Sequence, residues 1–250
     1  MRIFSRVEYD GTNFSGWQIQ TGKISVQEEL QKAISRIVGC QIPVAGAGRT
    51  DAGVHARNQA IHFDIPDDIS GKFLNFNKFS YQINSVLPRT IAIFGMQKVP
   101  DDFHARFWAV ERTYHYYISL KKNPLSFDSA VFFGYKLDLE KIHNELQSII
   151  GTNSFESFCS SNNQLSDFIC TVNFADIIKT DGDSFYIKIS ANRFLYNMVR
   201  TISGTLVDIS RGKTNLSLLE IISLKNRKFA GMTAPAKGLV LENVKYDGVL

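Results

Sequence analysis

"AGAGRTDAGVHARNQAIHF", residues 45–63, sets three glycines, an arginine and a single acid within its first eleven residues. A short β-branched stretch precedes it, and its tail alternates apolar and polar residues as a strand does. A turn needs one glycine, or two where the backbone must turn left-handed. The surplus glycines, with Asp51 between Arg49 and Gly53 and His55 just beyond, ask for a chemical explanation.

Two phosphate-loop explanations fail. A P-loop needs a Lys-Ser/Thr pair, and "GAGRTDAG" offers Thr50-Asp51. A dinucleotide fingerprint needs a third glycine where Asp51 stands, and a carboxylate there repels a pyrophosphate. A structural turn, with Asp51 as an Asx-turn or helix cap, stays open beside a functional site. The neighbours favour function. Arg49 is a cation able to keep the carboxylate ionised, and the glycines leave the backbone open to a bulky ligand. An accessible, charged carboxylate in such a collar suits a nucleophile or a base.

Working outward, "RIFSRVEYDG" (2–11) alternates and ends in an Asp-Gly turn, which predicts a strand. "SVQEELQKAISRIVG" (25–39) predicts a helix, with a Ser25/Glu28 capping box, a stripe of Val26, Leu30, Ala33, Ile34 and Ile37, and a stop at Gly39. Strands are predicted at 58–65, 91–99 and 112–120. The second half repeats this grammar. A helix is predicted over 138–151, ending at Gly151, then a hairpin of 170–179 and 184–191 around "TDGD". Next comes a helix from "RFLYNMVRTISGTLVDI" (193–209), with Phe194, Met198, Ile202 and Leu206 on one face. Arg193, Asn197, Arg200 and Gly204 share the opposite face, by pattern either solvated or functional. "GLVLENVKY" (238–246) closes the chain as a strand. The expectation is a duplicated α+β unit, with lobes 1–105 and 106–250 meeting at a hinge near 103–112.

At 250 residues, 44% hydrophobic and 21% charged, the chain is long enough to bury a sizeable core. Its net charge of +4 allows a polyanion partner without requiring one. Cys40, Cys159 and Cys170 show no CxxC spacing, so reduced core thiols are expected rather than disulfides or zinc. No HxxxH or HExxH occurs, and no metal is expected. No apolar run reaches membrane-spanning length, which leads us to expect a soluble, cytoplasmic protein with no membrane partner.

"GRTDAGVHA" (48–56) resembles the catalytic motif of the bacterial type A tRNA pseudouridine synthases. "YDGTNFSGWQIQ" (9–20), "VQEELQKAI" (26–34), "INSVLP" (83–88), "DDFHARF" (101–107), "RTYHYYI" (112–118), "FLYNMVRTISGTLVDI" (194–209) and "AGMTAPAKGLVLENVKY" (230–246) are similar to its signature blocks, in order. The resemblance implies a pseudouridine synthase fold. That fold joins two ferredoxin-like lobes in a continuous, mainly antiparallel sheet flanked by helices, with a central basic cleft. It also implies a homodimer that binds tRNA and converts uridines 38, 39 and 40 to pseudouridine, with no cofactor and no metal.

The matching catalytic aspartate is Asp51. The resemblance makes Tyr114 the residue that stacks on the target uracil, in place of an ordinary core tyrosine. It makes Arg200 a cation aimed at Asp51, and Leu239 and Leu241 walls of the uracil pocket. The loop carrying Phe14 and Trp17 offers rings and amides able to grip RNA, although a packed tryptophan is the commoner outcome. His104, Arg106, Arg112, Arg57 and Arg89 are candidate phosphate contacts.

Three stretches depart from the family pattern. Residues 168–174, "FICTVNF", lack an arginine that members often carry, and 121–137 and 208–213 match loosely. Two rival functions stand beside this one. A non-catalytic RNA-binding module has no use for an anion at Asp51. A nucleotide hydrolase ordinarily shows a phosphate loop or metal ligands.

Overall fold

The computed structural model describes residues 1–160, 167–180 and 182–248. The chain forms two compact units, Met1–Val110 with Leu241–Leu250, and Glu111–Val240. In the first unit β1 (Arg2–Tyr9) is followed by α1 (Val26–Val38), β2 (Ala45–Gly46), β3 (His55–Asp64), α2 (Asp67–Ser70), α3 (Phe76–Asn84) and β4 (Ile91–Lys98). β1 is central, antiparallel to β3 on one side and to β4 on the other, and β2 pairs with β3. The Arg2–Asp64 register pair carries a two-pronged ion pair, Nε to Oδ1 at 2.9 Å and Nη2 to Oδ2 at 2.8 Å. Period-2 alternation gives the sheet a dry face, with Ile3, Ser5 and Val7 fully buried. Phe63 packs edge-on to Phe79 of α3, ring centroids 6.4 Å apart.

α1 forms where the spacing predicts it. The Ser25 hydroxyl accepts from Glu28 N–H, and Gly39 ends the helix left-handed at φ 89°. Only half of the expected capping box is made, because the Glu28 carboxylate pairs with Lys32 at 2.8 Å. Ile37 is half-buried and Val38 takes its place in the buried stripe. β3 begins at His55, three residues before the predicted start. On β4, Asn84 bonds both backbone groups of Ile93: Nδ2 donates to its carbonyl and Oδ1 accepts from its N–H, each at 2.8 Å.

The second unit contains β5 (Ala109–Ser119) from Glu111 onward, β6 (Val131–Phe132), α4 (Leu139–Ser148), β7 (Gly151–Ser154), β8 (Ile169–Lys179), β9 (Ser184–Ala191), α5 (Met198–Ser210) and α6 (Leu218–Leu224). Its strands run in the order β5-β9-β8-β7, antiparallel throughout, and β6 adds to β5 in parallel. β8 and β9 form the predicted hairpin, whose turn residue Asp181 lies outside the described residues. Ser157 Oγ donates to the Ile221 carbonyl at 2.6 Å, and Glu145 accepts from Leu218 N–H at 2.7 Å, which fixes α6. β10 (Leu239–Tyr246) closes the chain and lies next to β3; from Leu241 onward it belongs to the first unit. Both units combine helices with mostly antiparallel strands, so the fold class is α+β.

Two helix boundaries depart from expectation. α4 stops at Ser148, and Gly151, at φ 113°, opens β7 instead of capping the helix. α5 begins at Met198, five residues late, because Asn197 sits left-handed at φ 63° and breaks the helical ladder there. Arg193 and Phe194 therefore precede the helix, and Arg193 pairs with Asp167 at 2.7 Å. Cys159 and Cys170 are buried as expected of core thiols, whereas Cys40 is exposed.

Candidate active site

Asp51 lies in the connection between β2 and β3, and nearly every neighbour in that connection is tied down. Ala47 N–H bonds Ala60 O at 2.8 Å, Gln59 Nε2 bonds Gly48 O at 3.1 Å, and Val54 N–H closes a turn onto Asp51 O at 3.1 Å. The 10–17 loop clasps the other side. Trp17 N–H donates to Thr50 O at 3.0 Å, and the buried Thr50 hydroxyl meets Tyr9 OH at 2.8 Å.

That close approach explains the glycines. A Cβ at Gly11 would lie 2.0 Å from Val54 O, and one at Gly16, itself at φ 96°, 2.6 Å from Thr50 O. A Cβ at Gly46 would enter the Trp17 ring at 2.5 Å. Trp17 is only 3% exposed and Phe14 is also buried, so both rings pack the clasp, and neither is offered to RNA. His55 is a strut in the same clasp: Nδ1 accepts from Gly11 N–H at 3.1 Å and lies 3.1 Å from Asp10 Oδ1. Asp51 itself is half-buried on this braced turn. Arg49, two residues before Asp51 in the same connection, is exposed.

In the second unit Tyr114 sits on β5 opposite Ile189, half-buried, its ring edge-on to Phe194 at 5.1 Å. Two residues on, Tyr116 is fully buried, its hydroxyl donates to Pro235 O at 2.9 Å, and burial pushes its phenol pKa up. Arg200 lies on the first turn of α5. Its Nε donates to Ala234 O at 2.8 Å and its Nη1 to Asn197 Oδ1 at 2.9 Å. Asn197 is anchored in turn, its Nδ2 donating to Ser160 Oγ at 2.7 Å.

The segment 230–238 lies across α5 as a strap. Ala234 N–H bonds Arg200 O at 3.1 Å, Gly231 N–H bonds Thr205 Oγ1 at 2.9 Å, and Thr233 meets Thr201 at 3.3 Å. Arg227 staples the strap through the carbonyls of Ala230 and Gly231 and the Thr233 hydroxyl, and burial lowers its pKa. Gly204 admits the strap, since a Cβ there would lie 1.9 Å from Met232 O. The face of α5 that pattern left open to solvent is thus covered, and Gly204 belongs to packing.

The remaining candidates divide. Leu239 and Leu241 are buried on β10. Arg57 is exposed and 3.3 Å from Glu242, which leaves its charge already compensated. Arg89 is exposed, with no ion pair among the described residues. Arg112 donates to Asn192 O at 2.8 Å. His104 lies between His62, edge-on at 4.6 Å, and Phe107, tilted at 4.3 Å, with Arg106 exposed beside them. Burial, aided by His104 and Arg2, lowers the His62 pKa to about 4. Among the described residues no three His, Cys, Asp or Glu gather as a metal site. No described helix is long and apolar enough to cross a membrane. Sequence reasoning set Asn197 and Arg200 on one helix face without reading the bond between them, and it missed the Arg227 staple, whose one visible signal was the polar triplet Asn226-Arg227-Lys228.

The family model described as tRNA pseudouridine synthase matches residues 6–108 and 146–247, which take in the Asp51 connection, the clasp, α5 and the strap. The chain belongs to the tRNA pseudouridine synthase family. Curated relatives agree in length as well as sequence. The tRNA pseudouridine synthase A of Bacillus subtilis is 39% identical over 99% of this chain and 100% of its own. That of Brevibacillus brevis is 40% identical over 98% and 99%, and that of Lactococcus lactis subsp. cremoris MG1363 is 36% identical over 99% and 98%. A solved Cbf5-Nop10-Gar1 complex is similar at 9% identity and TM-score 0.41, covering 96% of this chain and 58% of that chain, a likeness too slight to bear on the fold. Tyr114 lies between the two segments that the family model matches.

Proposed function

We propose that this protein isomerises uridine to pseudouridine in tRNA, with Asp51 as the essential carboxylate. One observation carries the reading: in a member of this family, Asp51 stands half-buried on a turn that glycines and hydrogen bonds hold in place. A charged group pre-positioned in this way loses little freedom on meeting its substrate. The reaction breaks the bond between C1′ and N1, turns the uracil, and joins C1′ to C5. The C5 proton leaves and N1 ends protonated, so the change is an isomerisation and needs no redox partner.

Asp51 adds to the sugar, adds to the base or removes a sugar proton; each role requires its ionised form. Tyr114 stacks on the displaced uracil, Arg200 supports the carboxylate electrostatically, and Leu241 lines the uracil pocket. Arg49, exposed at the motif, contacts the RNA. The substrates are uridines 38, 39 and 40 of the anticodon arm, bound by a homodimer in the cytoplasm; the family likeness supports this finer reading. The test is tritium release from a tRNA transcript labelled at uridine C5, with no cofactor added. Wild-type protein releases tritium, and Asp51→Asn binds the transcript but releases none. Residual Asp51→Asn turnover within about tenfold of wild type removes Asp51 from this role.

A further inference from the structure

Residues 103–108 form a loop whose backbone is fixed while one large apolar side chain is left outside. Phe103 and Ala105 are fully buried. Phe103 N–H bonds Pro100 O at 3.0 Å, Arg2 Nη1 donates to Phe103 O at 2.8 Å, Ala105 N–H donates to His62 Nδ1 at 3.2 Å, and Trp108 N–H bonds His104 O at 3.0 Å. Tyr246 OH donates to Ala105 O. Between these anchors Phe107 is 74% exposed. An exposed phenylalanine on a loose loop means little; on a loop with this many anchors the ring cannot turn inward to escape water.

The ring is also prepared on one side. His104 lies under it at 4.3 Å, tilted by 37°, and His62 lies beyond at 4.6 Å from His104. The Arg106 guanidinium stands 5.7 Å from the Phe107 centroid and is itself exposed. Burial and the nearby Arg2 and Arg106 lower the His104 pKa, and its Nδ1 accepts from Arg106 N–H at 3.1 Å, so at neutral pH the stack is uncharged and Arg106 supplies the cation. The arrangement is a short run of rings, Phe107 tilted over His104 and His104 edge-on to His62, open at its outer end, with a guanidinium beside it.

We propose that Phe107 is a stacking platform for an unpaired nucleobase of the bound tRNA, distinct from the uridine being isomerised, with Arg106 meeting the adjoining phosphate. This rests on the tRNA reading above and extends it to a second contact. A flat π-face accepts any base, and a guanidinium next to it suits a nucleotide better than an apolar peptide. Asp101 and Asp102, also exposed, lie in the same stretch, and their charge disfavours a phosphate beside them.

The experiment measures affinity for one tRNA transcript by fluorescence polarisation, with sedimentation run in parallel. Phe107→Ala and Phe107→Leu are expected to weaken binding about tenfold, while Phe107→Trp keeps it. Arg106→Gln is expected to lower the salt dependence of binding by about one phosphate contact. Wild-type affinity in Phe107→Ala overturns the proposal, and wild-type affinity in Phe107→Leu overturns stacking as its basis. A shift of Phe107→Ala to a smaller sedimenting species assigns the ring to a second copy of this chain instead of RNA. Tritium release by wild-type protein separates the two readings: its absence defeats the assigned reaction, whereas its presence beside an unaltered Phe107→Ala affinity defeats only the platform.

Discussion

Asn197 accepts a hydrogen bond from Nη1 of Arg200 at 2.9 Å, one turn along the chain, from a backbone held left-handed at φ 63°. Its other amide atom is occupied by Ser160, so the side chain cannot swing without breaking both contacts. Asn197→Gly keeps the left-handed backbone at little cost in stability but releases the guanidinium. Turnover is expected to fall about tenfold with the melting temperature nearly unchanged. Arg200→Lys, which keeps charge and loses the planar fork, is expected to fall at least as far. Single-turnover rates at saturating tRNA are the measurement; unchanged rates in both variants would show that Arg200 plays no part in the chemical step.

Gly204→Ala reverses an ordinary expectation. In an exposed helix that change gains about 1 kcal/mol. Here the new methyl meets a backbone carbonyl, Met232 O, at 1.9 Å, and the strap cannot yield without losing its bonds to Thr205 and Arg200. A net loss of about 2 kcal/mol is expected from urea unfolding. Turnover should fall with it, because the strap presents Ala234 O to Arg200.

Acid sensitivity follows from His62. Its pKa is lowered to about 4 in the folded chain, against an ordinary 6.5. The folded state therefore disfavours the imidazolium, and the stabilisation is complete above pH 6.5 and is lost as pH falls through 4. The loss is at most about 3 kcal/mol. Urea midpoints from pH 7 to pH 4 are expected to fall more steeply for wild type than for His62→Asn. Parallel slopes in the two proteins would assign the acid sensitivity elsewhere.

Salt should separate two arginines that look alike in the sequence. Arg89 is exposed without an ion pair among the described residues, whereas Arg57 already faces Glu242 at 3.3 Å. Arg89→Gln is expected to lower the salt dependence of tRNA binding by about one phosphate contact, and Arg57→Gln by less. Equal slopes for the two variants would contradict this ordering.

The elements that sequence made legible are those encoded by neighbours. α1 carries its cap, its stripe and its glycine stop within fifteen residues, and β1 and β10 are rich in apolar and β-branched residues along their own length. The Asp51 motif was legible for the same reason, since its glycines and its acid are contiguous. Periodicity could not show that Asn197 turns left-handed, because the apolar spacing of α5 continues smoothly into the residues before it. Nor could it show that Trp17 fills the space a side chain at Gly46 would take, a relationship between loops nearly thirty residues apart. α6 is a different case: Ser217 and Glu220 form a complete capping box, and the signal was present but not used.

Asn84 has a consequence that reaches past the single chain. β4 ends the row of strands in the first unit, and a strand in that place ordinarily offers its backbone to any passing polypeptide. One primary amide occupies both hydrogen-bonding groups of Ile93, presenting the donor and acceptor that an added strand would have brought. An aspartate could accept from the N–H but not donate to the carbonyl, so the choice of amide over acid matters. The side chain acts as a chain terminator for sheet growth. A strand arriving at this edge would have to displace that amide before it could pair at Ile93.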